Sequence, residues 1–411
     1  MATVLLVLPV QTYRAHAFLS AARRAGLEVV VASDEASSLA AFMADRYLTL
    51  DLGRPEEAAD RAAELAGRRT IDGVVGVDET AVLTAAAIAE RLGLSHHPLD
   101  AVAATRDKRR MRALLARAGV AQPEHLETST DAGAAELGRA HRRLGPAVVV
   151  KPVDLAASRG VIRADDTPAL VAAVARVRRM LEADPDCGRG PWPLLVERFA
   201  AGPEVAVEGL VEAGRLRVLA VFDKPDPLDG PFFEETIFVT PSRHPPALLA
   251  EVRRVTEAAV AALGLREGPI HAELRLGEGV RVLEVAARSI GGLCSAALDL
   301  GGGRTLEEVI LRRATGMPLD AVAPRPGAAA VLMLPTPEAG VLGGVAGLEA
   351  ARAVPGVDEV VITIPPGQRL VPLPEGDRYL GFVTAHAATA DDAEAVLRRA
   401  RAELRVRLQA T

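Results

Sequence analysis

Over the first hundred residues, short apolar runs alternate with amphipathic stretches, and that alternation admits few folds. Residues 4–8, 29–32 and 73–77 predict buried strands, while residues 15–25, 55–66 and 80–92 predict the helices between them. Strands separated by helices cannot close as hairpins; they form a parallel, doubly wound sheet. The first strand runs into Pro9-Val10-Gln11 rather than GxGxxG, and no GxxxxGK[ST] loop occurs. Neither a dinucleotide fingerprint nor a P-loop is therefore supported.

Beyond this region the pattern changes. Strands are predicted at 147–150, 161–164, 194–197, 204–210, 216–223, 270–276 and 280–286, mixed with helices. A last region, from about Pro324, carries strands at 329–334, 360–364 and 381–387, then a helix over 391–408. The expected organisation is α/β followed by α+β. It comprises a doubly wound domain over 1–100, a central domain over 101–320 and a small α+β domain over 321–411. His96-His97-Pro98 reads as the first linker; adjacent histidines point apart and no third ligand lies nearby, so a structural role is expected.

A chain of 411 residues suits two or three cores. Its net charge of −6 argues against a dedicated nucleic-acid surface, and no apolar run reaches membrane-spanning length. The apolar start lacks the basic flank of a secretory signal. Cys187 and Cys294 stand outside any CxxC spacing, which fits a cytoplasmic protein. Arginine carries nearly all positive charge: the only lysines are Lys108, Lys151 and Lys224, and asparagine is absent. A compact ammonium serves a phosphate in a way that guanidinium does not, so each lysine is a candidate site residue.

Three segments carry candidate chemistry. In the first, an apolar run delivers Lys151-Pro152 into a small-residue loop containing Ser158 and Gly160. A point charge beside backbone N–H groups suits phosphate, although strand–loop–strand hairpins are common. In the second, residues 194–199 end on Glu197-Arg198-Phe199, with Glu204 close behind. Such a strand end can read adenine through its backbone, with Glu204 on ribose; a salt-bridged strand end is the plainer alternative. In the third, residues 270–276 and 280–288 read as a hairpin. If Glu278-Gly279 forms a two-residue turn, Glu273 lies opposite Glu284, and like charges at that position call for a bridging cation, Mg²⁺ or Mn²⁺. A three-residue turn would put them on opposite faces. Arg288, at the end of the second strand, can meet a carboxylate.

Taken in order, Asp107-Lys108, Val150-Lys151-Pro152, Val196-Glu197, Gly202-Pro203-Glu204, Glu273 and Glu284-x-x-x-Arg288 resemble the ATP-grasp superfamily. The likeness covers most of the chain. It implies Lys108 and Lys151 on the phosphates of ATP, Glu197 to Phe199 at adenine, Glu204 at ribose, and Glu273 with Glu284 on magnesium. The usual final motif is Glu-x-Asn-x-Arg, and here Ala286 replaces the asparagine. Glu-x-Ala-Ala-Arg resembles instead the bacilysin-type L-amino acid ligases, as does the segment holding Pro231-Phe232-Phe233-Glu234-Glu235.

That resemblance implies a ligase that activates a small carboxylate as an acyl phosphate and transfers it to an amine. Glu234 or Glu235 would hold an ammonium, unless that loop is merely solvated. Arg288 would meet the carboxylate, and Ser289, Gly291 and Gly292 would line the acid pocket, unless they form only a turn. No nucleic acid or membrane partner is expected, and a homodimer is admissible. Two alternatives remain open: another ATP-grasp ligase or carboxylase, and a non-catalytic nucleotide-binding protein.

Overall fold

The computed structural model describes residues 1–35, 44–319 and 326–409. The boundary expected at 320/321, like Pro324, lies outside the described residues. Four parallel strands open the chain: β1 (Thr3–Val7), β2 (Glu28–Ser33), β3 (Tyr47–Thr49) and β4 (Gly73–Gly76), in the order 3-2-1-4. β1 is buried throughout because helices cover both faces, which is why it reads as continuously apolar. From β1 the chain winds outward to β2 and β3, then returns to the other side of β1 as β4. The carboxyl ends of β1 and β4 thus flank a topological switch point, a position that opens a crevice.

A second sheet is antiparallel and ordered 5-8-6-7: β5 (His125–Ser129), β6 (Val148–Pro152), β7 (Ile162–Ala164) and β8 (Pro193–Arg198). The third and largest is built from β9 (Glu204–Glu212), β10 (Arg215–Lys224), β11 (Ile237–Thr240), β12 (Gly268–Arg275), β13 (Arg281–Ala286) and β14 (Ala328–Leu334). β16 (Val357–Ile362) and β18 (Gly381–Ala387) extend it to the order 13-12-9-10-11-14-18-16. The C-terminal region is therefore continuous with the central one through the β11–β14 ladder, rather than a cap resting on it. A small sheet pairs β15 (Gly340–Ala346) with β17 (Arg369–Leu370) and β19 (Arg405–Leu408). This corrects the expected C-terminal helix, which stops at Glu403. Arg405-Val406-Arg407-Leu408 alternates with a period of two, with both arginines exposed, and that pattern suits a half-covered strand.

The large sheet is buried on both faces. Val205, Val207 and Val211 pack on one side with Met111, Leu115, Val252 and Val255, from helices Lys108–Arg117 and Pro246–Leu263. Ala206, Leu210 and Phe222 point the other way, into a core shared with β1, helix Leu306–Ala314 and Phe382. Side chains of even number on β9 therefore face the N-terminal sheet, and Glu204 and Glu208 are among them. No helix among the described residues is long and apolar enough to cross a membrane.

Candidate active site

The hairpin β12–β13 sets the centre. Arg275 pairs with Arg281 and Leu274 with Val282, so five residues, Leu276 to Val280, form the turn, not the expected two. Continued unbroken, that register would place Leu283 opposite Glu273. Instead the ladder slips, Leu283 is passed over, and Glu273 faces Glu284. Val282 packs against the helices, as do Val285 and Ala287, so the bulge is what turns Glu284 and Ala286 to the opposite face. Ala286 is buried there and offers no donor.

On that face Lys224 is the hub. Its Nζ lies 2.5 Å from Glu204 and 2.9 Å from Glu273, and it also bonds Glu235. Arg275 takes the other oxygen of Glu204 at 2.9 Å. Burial pulls the Lys224 pKa down, but three carboxylates outweigh it and hold the ammonium well above its ordinary value. One ammonium cannot satisfy three carboxylates: burial raises Glu235 to about 7 despite Lys224, whereas Lys224 and His271 overcome burial at Glu273 and hold it well below the usual range. Carboxylate oxygens of Glu204, Glu235 and Glu273 lie within 4.8 Å of one another, a hard-oxygen set that suits a divalent cation. His271 ties this cluster to buried Glu208 at 2.9 Å, and Glu208 also accepts from the N–H of Ile290 at 2.9 Å.

The smaller sheet supplies the second wall. Glu197 bridges buried Arg112 at 2.8 Å and Lys151 at 2.7 Å. Burial alone would raise the Glu197 pKa, but the two cations bring it to about 2. Burial likewise pushes the Lys151 ammonium down, against the attraction of Glu197. Lys108 opens its helix beside Asp107, whose carboxylate accepts from the N–H groups of Arg109 and Arg110. The Nζ of Lys108 reaches the carbonyl of Leu155 at 2.6 Å and Glu284 at 3.6 Å, linking the small loop to the hairpin. That loop turns through Ala157 and Ser158, both at positive φ, and Gly160, where a Cβ would stand 2.8 Å from Pro152. The N–H of Gly160 is taken by the carbonyl of Pro374 at 2.9 Å.

Several expected residues are engaged otherwise than the sequence suggests. The Glu197 carboxylate is held inside the protein, and the N–H groups of Arg198 and Phe199 bond Glu124 and Ala147 within the sheet. Phe199 instead presents its ring between Arg163 and Arg275 and stacks on Phe233. Glu204, expected at ribose, has both oxygens taken by Lys224 and Arg275. Glu235, expected to receive a substrate ammonium, already holds that of Lys224. Glu234 lines a small cavity with Ala157, Thr336 and Tyr379.

Arg288 reveals what the sequence reading missed. It is bonded to Glu79, and Glu79 also meets Arg106 at 3.4 Å. Burial opposes ionisation of Glu79, but Arg288, Arg106 and Lys108 outweigh it and lower its pKa. Next to the pair, Arg14 donates to Ser289 at 2.5 Å and to the carbonyl of Val77 at 2.6 Å, and Tyr13 accepts from the N–H of Gly292 at 2.7 Å. Gly291 lies against the same phenol: a Cβ there would stand 3.3 Å from the Tyr13 hydroxyl. Tyr13, Arg14 and Glu79 all follow β1 or β4, at the switch point of the parallel sheet. Its strand order was the available signal.

Residues 19–96 match the ATP-grasp N-terminal domain, residues 144–297 the ATP-grasp domain, and residues 332–409 the L-amino acid ligase C-terminal domain 2. A solved L-amino acid ligase from Bacillus licheniformis is 27% identical, with a TM-score of 0.86 over 100% of this chain and 99% of that one. An N5-carboxyaminoimidazole ribonucleotide synthetase from Thermotoga maritima shares the fold at 18% identity and a TM-score of 0.72, covering 100% of both chains. The alanine–anticapsin ligase of Bacillus subtilis is 28% identical over 57% of this chain and 52% of its own length, so the chain spans about half of that curated relative. Fold and matches converge: the chain carries an ATP-grasp N-terminal domain and an ATP-grasp domain, and it resembles the L-amino acid ligases.

Proposed function

We propose that this protein is an ATP-dependent ligase that joins the carboxylate of an amino acid to an amine, releasing ADP and phosphate. The observation that carries this reading is the Glu79–Arg288 pair at the switch-point crevice. The two charges neutralise each other across the ion pair. A zwitterion entering between them meets both, its carboxylate on Arg288 and its ammonium on Glu79.

Lys151, Lys108 and the loop through Ser158 and Gly160 are the residues that would hold the ATP phosphates, and Phe199 the base. Magnesium would be held by Glu273, with Glu284 or with Glu204 and Glu235, and would neutralise charge on the transferring phosphoryl group. Arg288 orients the carboxylate for attack on the γ-phosphate and steadies the tetrahedral oxyanion when the amine attacks the acyl phosphate. The backbone at Ser289 to Gly292, fixed by Arg14 and Tyr13, keeps that arginine aimed. A cytoplasmic setting fits the two free thiols, Cys187 and Cys294.

The test is ADP release over amino acids and their deamino analogues, each with a panel of amines. Removing the ammonium leaves the Glu79 carboxylate without its substrate partner, so turnover falls on the order of 100-fold or more. Glu79→Gln lowers it similarly. Equal turnover of a deamino analogue would sink the amino-acid reading.

A further inference from the structure

Residues 232–236 cross between the two walls of the site, and most of their side chains are already engaged. Arg176 lies over the Phe232 ring, Phe233 stacks on Phe199, Glu235 bonds Lys224, and Thr236 donates to Asp226. Glu234 is the exception: its carboxylate forms no ion pair with any described residue. Burial raises its pKa, and only a backbone hydrogen bond from Thr336 offsets that.

That carboxylate lines a cavity of about 10 Å³, room for one water-sized group. Ala157, from the loop proposed above to hold phosphate, forms one side and Tyr379 another. Arg378 lies at the exposed rim without pairing with Glu234. Tyr379 connects this place to the rest of the site. The charges of Glu235, Lys224 and Glu234 all act on its hydroxyl, and its ring centre is 6.0 Å from that of Phe382. Phe382 in turn is 5.3 Å from Tyr13, which feels the charge of Arg288. The cavity therefore has the proposed phosphate loop on one side and, through Tyr379 and Phe382, the Arg288 crevice on the other.

We propose that this cavity is the amine subsite: Glu234 holds the ammonium of the primary amine that goes on to attack the acyl phosphate. The proposal rests on the ligase reading above, in which Glu79 takes the ammonium of the acid substrate, and Glu235 is already spent on Lys224. A carboxylate partly removed from water and lacking a counter-charge gains most from a cation. A primary ammonium is close to water in size, so it fits the space while the rest of the amine stays outside it.

The test uses the amino acid and amine that give the fastest ADP release in the panel above, and compares that amine with hydroxylamine, which is uncharged at neutral pH. Glu234→Gln raises the KM for the amine about ten-fold or more. The KM values for ATP and the amino acid stay near the parent's, and hydroxamate still forms with hydroxylamine. Glu234→Asp, which keeps the charge, recovers part of the loss. If Glu234→Gln fails to fold, the parent decides: methylammonium should compete with the amine and not with the amino acid, while tetramethylammonium, too large for the cavity, should not compete. An unchanged amine KM in Glu234→Gln, hydroxamate formation that falls in step with ligation, or equal competition by the two ammonium ions would each overturn the proposal and leave the ligase reading standing. Absence of ADP release with every pair would defeat that reading, and this proposal with it.

Discussion

Glu273 faces Glu284 across β12 and β13 because Leu283 bulges out of the ladder between them. Without that slip Glu284 would turn toward the helices, on the same face as Val282. With it, two carboxylates of like charge stand side by side at the mouth of a lysine-filled acidic cluster, an arrangement that favours a cation. Glu284→Gln therefore lowers ATP turnover on the order of 100-fold while leaving the melting temperature nearly unchanged, since Glu284 is partly exposed. Steady-state kinetics at saturating Mg-ATP and a thermal melt check both halves.

Lys151→Met is expected to do more. It removes the charge proposed to meet the ATP phosphates and also leaves buried Glu197 with Arg112 alone. Breaking one side of a buried ionic group typically costs roughly 3–5 kcal/mol, so turnover and stability fall together. A Lys151→Met protein with the parent's melting temperature would show that Glu197 does not depend on this lysine.

Much of this was legible in the sequence, though not always by the expected route. The doubly wound start follows from the strand–helix alternation, and the facing glutamates from hairpin spacing. In the latter case a longer turn and a bulge cancel, and no spacing rule foresees a bulge. Side chains brought in from far away were not legible. Glu79 and Arg288 are 209 positions apart, and only the packing of the N-terminal sheet against the large one brings the loop after β4 to the end of β13. Likewise Glu235 reads in sequence as a holder of a substrate ammonium or as a solvated acid, because nothing local shows that Lys224 will be folded against it.

Stability should fall with rising pH above neutrality. Burial opposes protonation of His271, but Glu208 and Glu273 outweigh it and raise its pKa from 6.5 to about 9. A raised folded-state pKa gives stability that is fully present below 6.5 and lost as pH rises through about 9. The contribution is roughly 3 kcal/mol at most. Melting temperatures of the parent measured from pH 6.5 to 9.5 should decline, and His271→Gln should flatten the curve. A parent curve already flat over that range would contradict a charged His271.

The loop carrying Pro374 and Glu375 latches the loop through Ser158 and Gly160, proposed above to hold phosphate. Glu375 makes two hydrogen bonds with Arg176, at 2.6 and 2.9 Å, and its carbonyl accepts from Arg159. Both partners of the ion pair are 38% exposed, so solvent screening limits it to about 1 kcal/mol. Glu375→Gln should raise the KM for ATP about five-fold or less, with kcat nearly unchanged. High salt should bring the parent toward the variant. A change confined to kcat would place Glu375 elsewhere in the cycle.

The most direct test follows oxygen. An amino acid labelled with ¹⁸O in its carboxylate is turned over with ATP, magnesium and an amine, and the products are read by mass spectrometry. Ligation through an acyl phosphate transfers one labelled oxygen to inorganic phosphate and yields ADP. Unlabelled phosphate, or AMP with pyrophosphate, would contradict it.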